Sequence, residues 1–179
     1  DGTITGLPAT NILGQSGNYT TATCQTTQAG LCGPRAVLID NASRTFVADS
    51  FNNRVTVYLD GFAAPATYVL GQSSFTTSID AGGATGLLEP AGLAFRPSTN
   101  HLFVSSRGEN RVMVFDVSTI PNGKAASYVL GAPDLYSPGT QTPSWSLSQP
   151  RGLAYSGVDE ILFVADTGYN RVVVYDVAT

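Results

Sequence analysis

Three stretches of this chain repeat one phrase: ADSFNNRVTVY (48–58), SSRGENRVMVF (105–115) and ADTGYNRVVVY (165–175). Their arginines, Arg54, Arg111 and Arg171, stand 57 and 60 residues apart. The glycines of three Leu-Gly pairs, Gly14, Gly71 and Gly131, keep the same two intervals. Pro34, Pro90 and Pro150, each opening an apolar run, keep 56 and 60. Three independent markers on one period define a repeat, and a repeat of this length is a stack of supersecondary units.

Each unit reads as four short strands rich in Val, Leu, Phe and Tyr. The first is PRAVLI, PAGLAF or PRGLAY; the second TFVAD, HLFVSS or ILFVAD. The third is RVTVYL, RVMVFDV or RVVVYDV, and the fourth TNILG, TYVLG or SYVLG. The links SFNN, RGEN and TGYN join second to third strands, with Gly or Asn able to take a positive φ. The third strands are apolar at consecutive positions, so both of their faces need cover. Antiparallel four-stranded units stacked face to face make a β-propeller. The expected fold is therefore all-β, with three four-stranded blades in one domain (1–179). The repeats run about 10–71, 72–131 and 132–179, and strand 10–14 serves as an outermost strand.

The motifs Pro-x-Gly-Leu-Ala (90–94, 150–154), Phe-Val-Ala-Asp (46–49, 163–166) and Asn-Arg-Val resemble NHL repeats over essentially the whole chain. The Leu-Gly-Gln element resembles a long-loop bacterial form of that repeat. Unit one departs at Ala36, where the others have Gly; unit two departs at Ala91 and Ser106, where the others have Arg and Asp. The resemblance implies rings of about six blades. Written in order, the strands begin with a fourth and close on a third, so two copies are expected to complete a six-bladed homodimer by exchanging the opening strand. A longer parent chain is the alternative. The chain starts at Asp1 rather than Met, which reads as a processed or excised form.

Composition narrows the function. Charged residues make up 12% and hydrophobic ones 42%, too apolar for disorder. No apolar run reaches the roughly 18 residues of a membrane helix. Net charge is −4, and eight of nine basic residues are Arg, which argues against nucleic acid as a partner. Cys24 and Cys32 favour a local disulfide over two free thiols, worth about 2–3 kcal/mol for so short a loop. With that disulfide, an extracellular or periplasmic location is expected.

The recurring polar residues read first as architecture. Asp49 and Asp166 are expected to accept backbone N–H groups of the following turn. Asn53, Asn110 and Asn170 supply turn geometry, and Arg54, Arg111 and Arg171 bond carbonyls or an Asp of an adjacent blade. Arg35 and Arg151 follow the Pro of the innermost strand, at the channel mouth. They form either an anion-binding collar or pairs with acids on neighbouring loops. The connections 15–33, 72–89 and 132–149 fold over one face and carry anchors Leu31, Leu87 and Leu147. No catalytic constellation, metal set or cofactor motif appears. Enzymes resembling this family include an amidating lyase with a metal held by several histidines, and His101 is the sole histidine. The expected function is a non-enzymatic scaffold that binds a protein or ligand through its loops and channel mouth. A metal-assisted hydrolase or lyase is the alternative.

Overall fold

The computed structural model describes residues 7–59, 65–139 and 144–178. Three antiparallel sheets follow one another along the chain. The first holds β1 (Pro34–Ile39), β2 (Thr45–Asp49), β3 (Arg54–Tyr58) and β4 (Tyr68–Leu70) in that order. The second holds β5 (Pro90–Arg96), β6 (His101–Ser106), β7 (Arg111–Asp116) and β8 (Tyr128–Leu130). The third holds β9 (Pro150–Ser156), β10 (Ile161–Asp166) and β11 (Arg171–Asp176).

The second and third strands of every sheet meet through one tight 3-10 turn that ends on Asn. Asn53, Asn110 and Asn170 take φ of 51°, 57° and 50°, and each returns its N–H to the carbonyl three residues back. Asn enters this left-handed region more easily than other side chains. Gly108 and Gly168 precede it at ordinary φ, so Asn and not Gly takes the strained position.

Sheets stack face to face. Phe46, Ala48, Val55, Val57 and Leu70 of the first sheet are buried against Leu93, Leu102, Val104, Met113 and Phe115 of the second, with Leu87 of the connection ahead of it. Ala94, Phe103, Val112 and Val114 of the second are buried against Leu162 and Val164 of the third, with Leu147. Each covered strand face of this kind is worth several kcal/mol, at about 25 cal/mol per Å². The third strands respond to this cover. Strand β3 is buried throughout, while β11 alternates because no sheet lies beyond it among the described residues. Phe163, Val172 and Val174 are 40%, 62% and 52% exposed. At the other end, Val37 and Ile39 of β1 are 67% and 60% exposed.

One expected strand behaves differently. Residues 10–14 make no ladder; Gly14 and Gln15 form only isolated bridges to Gly30. A fourth strand pairs with a third strand, and every third strand present except β11 already has its own. The segment nevertheless lies where a fourth strand belongs. Leu13 packs on Leu31, as Leu70 packs with Leu87. Gly14, Gly71 and Gly131 share φ of 92°, 83° and 79°. A Cβ on any of the three would fall within 2.7 Å of the Leu anchor of the following connection.

Candidate ligand-binding site at the channel mouth

The first strands β1, β5 and β9 run side by side and present a concave wall, the inner surface of the stack. Its upper part is a cavity of about 510 Å³ bordered by Arg35, Ala91, Gly92, Leu93, Arg151 and Leu153. A second hollow of about 500 Å³ continues along the wall past Leu93, Phe95 and Tyr155 to Asp40.

The entry of each first strand is held by the sheet before it. Glu89 and Gln149, just ahead of their prolines, sit at φ of 48° and 50°. That backbone is costly for a non-glycine residue. It is held because the Glu89 N–H donates to Asn53 Oδ1 (2.9 Å) and the Gln149 N–H to Asn110 Oδ1 (2.8 Å). The turn asparagine thus shapes its own turn and pins the next sheet. Strands β5 and β9 then approach backbone to backbone. A Cβ on Gly92 would lie 1.9 Å from the Arg151 carbonyl oxygen. Ser105 bridges the pair: its Oγ accepts from Gly92 N–H (2.6 Å) and donates to the Arg151 carbonyl (2.8 Å).

Six of the eight arginines are in ion pairs: Arg44 with Asp40, Arg54 with Asp49, Arg96 with Glu160, Arg107 with Glu89, Arg111 with Glu109, and Arg171 with Asp166. Arg35 and Arg151 pair with no acid among the described residues. Arg35 lies over the Phe51 ring, 5.6 Å from its centroid, and both residues are exposed. Ala91 takes the same position in the middle sheet and borders the same cavity. Pairing with loop acids, one of the two readings offered by sequence, is not seen among the described residues.

The repeated Asp, Asn and Arg build the frame. Asp49 Oδ1 accepts the Cys32 N–H (2.6 Å), and Asp166 Oδ1 accepts that of Ser148. These donors lie in the connection ahead of the first strand, not in the following turn as expected. In those turns the N–H groups of Phe51, Asn53, Gly168 and Asn170 go to backbone carbonyls. Arg54 Nε donates to Asp49 Oδ2 (2.7 Å), its Nη1 to the Phe75 carbonyl and its Nη2 to those of Thr27 and Gly30 (2.9 Å each). Arg54 and Arg111 each bond a carboxylate of their own repeat and loop carbonyls on either side, while Arg171 bonds Asp166 and the Ser146 carbonyl. In the middle sheet Ser106 replaces the Asp. Its Oγ accepts the Leu88 N–H (3.0 Å) and donates to Glu109 (2.6 Å), which then pairs with Arg111. Sequence reasoning passed over Glu109 and Ser105. The missing Asp at 106, with an acid three residues later, was the available signal for Glu109.

The connections carry their anchors inward: Leu31, Leu87 and Leu147 are buried, while Tyr19, Tyr136 and Trp145 are exposed. Cys24 and Cys32 form a disulfide that closes the first connection. The Tyr175 hydroxyl donates to the Trp145 carbonyl (3.0 Å), and burial, reinforced by Asp166 against Arg171, pushes its pKa up to about 12. No group of three metal-ligating side chains occurs among the described residues.

A model of the family described as lactonase, 7-bladed β-propeller, matches residues 11–179. A comparison with curated proteins found no match. Among solved structures, the chain resembles an auxiliary nutrient binding protein from Bacteroides ovatus (12% identity, TM-score 0.52, 78% of this chain and 37% of that one). It also resembles one from Bacteroides thetaiotaomicron (11%, TM-score 0.50, 76% and 35%). The chain thus spans little more than a third of these structures, and the likeness is one of fold.

Proposed function

The chain belongs to the lactonase, 7-bladed β-propeller family, and from that premise we propose that it is a non-enzymatic propeller scaffold that binds a small anion at the channel mouth. The observation that carries this reading is the pair Arg35 and Arg151. They border one cavity of about 510 Å³ and lack acid partners among the described residues, while the other six arginines are paired. A guanidinium presents a planar fork of donors that suits a carboxylate or phosphate. The repeats are NHL-type units of about 10–71, 72–131 and 132–179, supported by the Pro-x-Gly-Leu-Ala and Asn-Arg-Val motifs. The Cys24–Cys32 disulfide supports a place outside the cytoplasm.

Calorimetric titration with gluconate and with inorganic phosphate tests the site. The wild-type chain is expected to bind at least one of them. Arg35→Ala with Arg151→Ala should weaken that binding at least about tenfold, the equivalent of about 1.4 kcal/mol. Binding unchanged in the double variant, or absent in the wild type, overturns the reading.

The family description favours a second reading, in which the same arginines hold the acid group of a lactone undergoing ring opening. The described residues lining the cavity include no carboxylate, histidine or other proton-transfer group. These sheets would then contribute binding, with the proton transfer made elsewhere in the ring. Acid release from glucono-δ-lactone above the uncatalysed rate, followed at constant pH, would favour it.

A further inference from the structure

The inner wall changes character along its length. At the mouth it carries Arg35 and Arg151. Leu93 and Leu153 border both the mouth cavity and the hollow beyond it, so the two are continuous. Further in, the hollow of about 500 Å³ is lined by Leu38 of β1, Phe95 of β5 and Tyr155 of β9. Leu38 and Phe95 pack against the core between the first two sheets, and Leu153 and Tyr155 against the core between the second and third. All four keep part of their surface bare. Three neighbouring strands thus bring partly bare hydrocarbon to one hollow.

The strongest polar groups of the hollow are already engaged. The Asp40 carboxylate is buried, pairs with Arg44 at 2.6 Å and accepts the Ala42 and Arg44 backbone N–H groups. The Tyr155 hydroxyl donates to Glu160 Oε2 (2.6 Å), which leaves the ring as the surface it offers. Asn41, exposed in the turn after β1, is the other polar side chain of the lining. A hydroxyl laid on this hollow would give up its bonds to water with little in return. A methylene laid there would gain by leaving water. Arg35 and Leu38 stand three residues apart on β1, about 10 Å at the rise of a strand. An anion at the mouth can therefore lay a body of about that length along the wall.

We propose that the ligand of this wall is an amphipathic anion, with its acid group at Arg35 and Arg151 and a hydrocarbon body laid along Leu93 and Leu153 into the hollow. The inference rests on the anion reading of the mouth and adds the class of molecule that covers the rest of the wall. The guanidinium groups supply charge-assisted bonds to the head. The body supplies the apolar area removed from water. A polyhydroxy acid shares the head but not the body, and its hydroxyls would face hydrocarbon, so the wall discriminates against it.

Calorimetric titration with octanoate, and with butanoate read by its competition against octanoate, is the test. A fully buried methylene is worth about fourfold in affinity, and a wall that covers one side of the chain should give about twofold. Octanoate should then bind about fifteenfold tighter than butanoate, and gluconate no tighter than butanoate. Leu38→Asn and Leu153→Asn keep a branched side chain and make it polar; each should bring the octanoate-to-butanoate ratio below about fivefold. If one of them loses the wild-type circular dichroism spectrum, the other decides. A wild-type ratio near one, or a ratio unmoved in a folded variant, overturns the proposal; the anion reading still stands if Arg35→Ala with Arg151→Ala weakens butanoate. Octanoate bound as tightly by that double variant as by wild type overturns the anion reading and the proposal with it, and so does an absence of octanoate binding by the wild type.

Discussion

Replacing Arg54 with Met should remove most of the stability of the first joint. Arg54 and Asp49 are both fully buried and paired at 2.7 Å. Deleting one partner of such a pair costs about 3–5 kcal/mol, because a charge is left without compensation. Asp49 would keep the Cys32 N–H and the Asn52 amide, which places this loss near the low end, about 3 kcal/mol. Three carbonyls also lose their donor. Thr27 is exposed and Phe75 partly so, and water can replace the guanidinium there; Gly30 is buried and adds about 1 kcal/mol. The total of about 4 kcal/mol is a large share of the 5–15 kcal/mol typical of a folded protein. Arg54→Lys keeps the charge but not the fork that reaches Asp49, Phe75 and Gly30 together, so about half the loss should return. Equilibrium urea unfolding at one protein concentration, followed by circular dichroism, measures both. A loss below about 1 kcal/mol for Arg54→Met, or a lysine variant as stable as wild type, would refute the view that this guanidinium clamps the joint.

Two further substitutions probe the wall and its periphery. Gly92→Ala should cost about 3 kcal/mol, the upper range for overpacking, because the new Cβ meets the Arg151 backbone rather than a side chain that can turn away. A midpoint of thermal unfolding equal to wild type would show that β5 and β9 can separate freely. Burial holds the His101 imidazole below its usual value, against Asp116, which raises it. A histidine with a depressed folded pKa binds fewer protons folded than unfolded, so its full contribution is present above the unfolded value of about 6.5 and is lost as pH falls below it. His101→Gln should flatten the stability profile between about pH 5 and 7, and an unchanged slope there would assign the effect to other groups.

The period, the strands and the turns were legible in the chain alone, and for one reason. They depend on groups close in sequence: runs of β-branched and aromatic residues, prolines that open strands, an asparagine that tolerates a left-handed φ. Eleven of twelve expected strands form within a residue or so of where the pattern put them. Consecutive apolar residues in the third strands also told that both faces want cover. The likeness to a propeller followed from these, and the family match bears out that architecture.

What the tertiary structure decided is who bonds whom across the stack. Asp49 could be read as a turn residue, but its backbone donor is Cys32, brought near only when the connection folds over the sheet. Glu109 takes over a role that Asp fills in the other repeats, because a carboxylate three residues later still reaches the same guanidinium. Arg35 and Arg151 differ from the other arginines in having no acid partner among the described residues, and sequence carries no record of that. Local geometry is written in neighbouring residues; partners and vacancies arise only when sheets distant in the chain are stacked, since burial and charge pairing belong to the packed arrangement and not to the strand.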